Sequence, residues 1–62
     1  MENRFKDFTI MELTLLKYST SELIDILEKF SESRKTNADS ISDLKRLKNE
    51  IEEQLQNIVK GL

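Results

Sequence analysis

The chain contains no proline, and its single glycine stands at position 61 of 62. Tight strand reversals lean on these two residues, on proline for a fixed φ and on glycine for left-handed backbone. A chain without either before its penultimate residue has little with which to build β-hairpins. Abundant Leu, Ile, Glu and Lys point the same way, and the expected class is all-α. A strand over Phe8 to Leu15 is the competing reading, since Met11, Leu13 and Leu15 alternate with Glu12 and Thr14. Ile10 and Leu16 spoil the alternation, and no second strand exists to pair with it.

Residues 1–62 make one small domain, below the roughly 70 to 80 residues under which a single core seldom supplies more than about 3 to 5 kcal/mol. With no Cys there is no disulfide, and with neither Cys nor His a zinc site has lost its usual ligands. The supplements left are long, well-packed helices or association, so a homo-oligomer, a dimer first, and a protein partner of unknown identity are expected. Ten Lys and Arg against twelve Asp and Glu give a net charge of −2, which exerts no general pull on phosphate backbones. Nucleic acid is therefore not the expected partner. No stretch reads as a signal peptide and no apolar run exceeds two residues, so the expectation is a cytoplasmic protein without a membrane span. Without His, a Cys nucleophile or a glycine-rich phosphate loop, no catalysis, cofactor or metal is expected.

The polar stretch from Ser31 to Asn37 has no apolar residue, and the turn is expected within it, at 34–37. Beyond it Ile41, Leu44, Leu47, Ile51, Leu55, Ile58 and Leu62 are spaced 3, 3, 4, 4, 3 and 4 apart. These positions share an arc of roughly 100°, one face of a helix over about 38–60 that is some 35 Å long. Thr36 to Asp39 or Asn37 to Ser40 can cap its start, and Gly61 can stop it. Leu44, Leu47 and Ile51 recur eleven positions later as Leu55, Ile58 and Leu62, a period that disfavours a long left-handed coiled coil and suits a short bundle.

In the first half, Thr9 and Glu12 form a capping-box pattern, with Phe8 placed to staple onto Leu13. A second start signature, Ser19-Thr20-Ser21-Glu22, leaves two readings: a break near Ser19 that gives three helices, or one helix over about 10–33. Leu15, Leu16, Leu23, Ile26, Leu27 and Phe30 share one arc of about 120° when the helix is drawn straight through, which favours continuity. Residues 1–8 are a tail or a short extension that packs Phe5 and Phe8.

The fold expected is an antiparallel two-helix hairpin. Its core pairs Leu16, Leu23, Leu27 and Phe30 with Leu44, Leu47, Ile51, Leu55 and Ile58. Ile10, Met11, Leu13, Tyr18 and Ile24 fall outside that seam, and several apolar residues in one exposed patch are unusual for a monomer. They are expected to form a self-association or partner interface, most simply in a symmetric dimer that makes a four-helix bundle. Glu22, Asp25, Glu28 and Glu32 read as a solvated acidic face, with Lys29 four residues after Asp25. Arg34, Lys35, Lys45, Arg46 and Lys48 are the candidate phosphate contacts of an alternative, a nucleic-acid-associated accessory protein. Glu50 and Glu52, four residues after Arg46 and Lys48, partly neutralise that cluster.

The run Thr9-x-x-Glu12-Leu13-x-Leu15-Leu16 is followed by Leu23, Leu27-Glu28 and a second helix bearing Asp43-Leu44, Leu47, Ile51-Glu52 and Leu55. It resembles small helical-hairpin proteins of phages and mobile elements. The resemblance implies a hairpin and no particular activity. The functional expectation is a non-enzymatic interaction or oligomerisation protein, such as a phage-type inhibitor or regulator, that acts by occupying a partner's surface.

Overall fold

The computed structural model describes residues 3–62, apart from the side chains of Ser31, Ser33 and Arg34. The described residues form three helices and no strand: α1 over Ile10–Lys29, α2 over Ser31–Thr36 and α3 over Ala38–Gly61. Glu28, near the end of α1, pairs with Lys45 near the start of α3 at 2.6 Å, while Leu13 packs with Ile51 in the core. The two long helices thus form an antiparallel hairpin.

Helix α1 begins where its sequence provides partners for the free backbone N–H groups of a first turn. The Thr9 hydroxyl accepts from Glu12 N–H at 3.1 Å, and the Glu12 carboxylate accepts from Thr9 N–H at 2.9 Å. The Thr9 backbone and hydroxyl hold the Glu12 carboxyl below the usual range for Glu. By linkage, its part of the cap is present above the unfolded-state pKa and is lost as pH falls through the folded one. Thr9→Ala should cost about 1 kcal/mol of stability in a urea melt, and Thr9→Ser much less, because only the hydroxyl carries the cap.

The helix is continuous through Ser19-Thr20-Ser21, so the three-helix alternative with a break near Ser19 is not the one adopted. Thr20 is buried, and its hydroxyl donates to the Leu16 carbonyl at 2.6 Å, so no polar atom is stranded in the seam. The helix stops earlier than the expected residue 33. Phe30 is extended, with φ −107° and ψ 128°, and the polar stretch expected to hold the turn instead winds α2 over 31–36. The direction changes fall at Phe30 and Asn37 rather than across 34–37. Asn37 precedes α3 as N-cap without a side-chain cap bond. Gly61 is the last helical residue and has no positive φ; the Leu62 N–H closes on the Val59 carbonyl at 3.2 Å.

The core is small: Leu13 and Ile51 are fully enclosed, Phe5 is buried beside them, and Leu16, Leu47, Leu55 and Ile58 pack around the three. Phe5 arrives from the N-terminal segment, which turns through Phe8 N–H to Phe5 O at 3.0 Å. Asn3 fastens that segment, accepting from Phe5 N–H through Oδ1 and donating through Nδ2 to the Glu50 carbonyl, each at 2.9 Å. Arg4 grips the Glu50 carboxylate with two bonds of 2.7 and 2.8 Å. Phe8 sets its ring edge-on against Phe5, with centroids 5.3 Å apart. The segment is therefore a third layer over the hairpin.

Candidate interaction surface

On α3 the stripe read from the sequence is the one that turns inward. Ile41 and Ile51 are buried, Leu44, Leu47, Leu55 and Ile58 are half-buried, and only Leu62 of that series is exposed. Helix α1 is different, because its apolar residues surround most of its circumference. Its seam is Leu13, Thr20, Ile24 and Leu27, with Leu16 beside them. The expected series 16, 23, 27, 30 lies three residues later, so α1 is turned by about 60° from its expected orientation.

That rotation exchanges members between core and surface. Leu13 and Ile24, expected at the outer interface, are at 0% and 6% exposure and belong to the fold. Leu23 and Phe30, expected in the hairpin core, are at 44% and 59% exposure and face outward. Ile10, Met11 and Tyr18 are exposed, and Leu15 and Ile26, absent from the expected interface, are exposed as well. Seven-residue spacing of Leu13, Thr20 and Leu27 was the signal available for this seam. It was obscured because Thr20 is polar and its hydroxyl is satisfied within its own helix.

The outer face of α1 therefore carries Met11, Leu15, Tyr18, Leu23 and Ile26, with Phe30 at its C-terminal end. Its mean direction lies roughly 140° around the helix from the seam. Ser19 and Glu22 stand among these residues, while Glu12 and Lys29 stand at opposite ends of the face. The hairpin's own packing leaves each of its apolar residues between 44% and 74% exposed, and such a row of large apolar groups is the usual mark of a protein-binding surface.

The basic residues are mostly occupied. Lys45 pairs with Glu28 across the hairpin, Arg46 with Asp43 at 3.8 Å, and Lys48 with Glu52 at 4.0 Å. Glu28 is thus an inter-helix partner, and Glu50 takes Arg4 from the N-terminal segment. Lys35 is exposed, and the Arg34 side chain lies outside the described residues. A shallow groove of about 320 Å³ lies between Arg4, Asp43, Leu44, Arg46, Leu47 and Glu50. Its four charges are two of each sign, Arg4 beside Glu50 and Arg46 beside Asp43, so the groove carries no net charge to draw an ion.

Among the described residues, no three His, Cys, Asp or Glu side chains are grouped to hold a metal ion. Among the same described residues, no helix is long and apolar enough to cross a membrane. Compared with known protein families, with curated proteins and with solved structures, the chain matches none.

Proposed function

We propose that this is a non-enzymatic protein-binding module of the cytoplasm that works through the outer face of α1. One observation carries the reading: Met11, Leu15, Tyr18 and Ile26, each at least half exposed, line a single side of a helix whose opposite side is already packed. A face of this kind gains its free energy from apolar burial, with an aromatic anchor such as Tyr18 contributing most. The resemblance to mobile-element hairpins extends the reading to a small inhibitor or regulator that occupies a surface on another protein. No observation favours phosphate binding, since Lys45, Arg46 and Lys48 are engaged with carboxylates.

Leu15→Glu and Tyr18→Glu test the proposal. Both side chains point away from the core, so the helical spectrum and urea midpoint of the isolated chain should hold within about 0.5 kcal/mol. Association should weaken tenfold or more, at least about 1.4 kcal/mol. Unchanged association in both variants would remove the face from consideration. Leu13 and Ile24 are unsuitable for this purpose, because a charge there disrupts the hairpin itself.

A further inference from the structure

The exposed apolar residues on the outer face of α1, together with Phe30 just beyond its end, are arranged symmetrically along the helix, while Ile10, exposed on another side, has no apolar counterpart. Leu15 and Ile26, Tyr18 and Leu23, and Met11 and Phe30 each straddle the same midpoint, between Thr20 and Ser21. Glu12 and Lys29 straddle it too, and they carry opposite charges. A pattern that reads alike from both ends is what an isologous two-fold contact requires, since each residue must find its counterpart on an identical surface.

We propose that the outer face of α1 is a self-complementary interface, on which a second copy of this chain lays its own α1 antiparallel about a two-fold axis at that midpoint. This deepens the reading given above by naming the partner and the register. Leu15 then meets Ile26 of the second copy near the centre, and Tyr18 shares a level with Leu23. Glu12 comes to the level of Lys29 at both ends, a complementarity that fixes orientation more than affinity. A parallel pairing would instead set Glu12, Glu22 and Lys29 each beside its own copy. Charge thus selects the antiparallel arrangement.

The chain has surface enough for such a contact. A compact monomer of 7.3 kDa is expected to expose about 4,200 Å². This chain exposes 5017 Å² and is drawn out to 43 × 23 × 15 Å. The excess, about 800 Å², matches what each partner buries in a standard interface. Because the outer face lies well over 90° from the seam, the dimer is a flat layer of four helices with the two α1 helices inside, rather than the four-helix bundle expected from the sequence.

The chain has no cysteine, so single thiols report on the register directly. Leu15→Cys and Ile26→Cys chains are mixed and treated with a thiol crosslinker spanning about one interhelical distance, 8 to 10 Å. Cross-linking between the two variants is expected. Leu15→Cys alone should give none, because eleven residues separate it from Ile26, placing the two copies of Leu15 about 16 Å apart along the axis. One like-charge approach remains, between Glu22 and its own copy beside the axis. Glu22→Gln should therefore tighten the dimer about two- to five-fold at low salt, and Lys29→Glu should weaken it by a similar factor.

Solution mass by light scattering over a hundredfold range of concentration decides whether the second copy binds at all. A mass of two chains, lost in Leu15→Glu, is expected. A single-chain mass throughout overturns the homodimer and leaves the face to a different protein. A dimer that survives both Leu15→Glu and Tyr18→Glu overturns this proposal together with the broader reading of the face. Efficient self-cross-linking of Leu15→Cys overturns the antiparallel register.

Discussion

Leu13→Ala is expected to leave most of the chain unfolded at room temperature, and Ile51→Ala to do nearly the same. Both side chains are fully enclosed, and each lies where α1, α3 and the N-terminal segment meet. Removing a buried Leu or Ile to Ala costs about 2 to 5 kcal/mol, the lost transfer free energy plus the cavity left behind. One core in a chain this short supplies only about 3 to 5 kcal/mol, so a single such change consumes most of the margin. Far-UV circular dichroism and a urea titration, at matched chain concentration, measure the loss. Leu15→Ala on the outer face is the comparison, with an expected change of no more than about 0.5 kcal/mol in the unassociated chain. Equal sensitivity at positions 13 and 15 would mean that α1 presents a different face to α3.

The second large effect is expected at Phe5. Phe5→Ala should lower stability by only about 1 to 2 kcal/mol, since the roughly 3 to 5 that Phe to Ala costs in a core is largely offset by the freedom an undocked segment of several residues regains. The signature differs from that of Leu13→Ala. The hairpin keeps its own helices, so helicity should fall little while the denaturant slope drops, because less surface is then exposed on unfolding. Phe5→Leu should retain most of the stability. A Phe5→Ala variant with the wild-type midpoint and slope would show that the third layer contributes nothing to the core.

The features that follow from local chemistry were legible in the sequence. Thr9 with Glu12 marks the start of α1 on its own, and the stripe of Ile41, Leu44, Leu47, Ile51, Leu55 and Ile58 allows α3 one inward face. Orientation of α1 was not legible to the same degree, because a helix apolar on two sides has two candidate seams. Choosing by hydrophobicity alone discards Thr20, whose hydroxyl needs no partner beyond Leu16 O. Helix α2 is illegible for the opposite reason: with no apolar residue it has no amphipathic pattern to mark it. The role of Phe5 depends on Glu50, which lies far along the chain. No local pattern announces a contact of that range.

The contacts of Asn3 and Arg4 with Glu50, 47 and 46 positions apart in sequence, have a consequence for the order of events. Closing so long a loop gains nothing until α3 exists as a surface to dock on, whereas the turn from α1 into α3 closes over a short span. The segment should therefore arrive after the hairpin in folding and leave before it in opening. Amide exchange would then divide the chain into two populations, with Phe5 and Phe8 exchanging through a cheap, partial opening and the middle of α3 only through the global one. Each departure of the segment uncovers Leu13 and Ile51, so the chain's exposure to proteases and to aggregation is governed by how firmly this short segment is held rather than by the hairpin it closes.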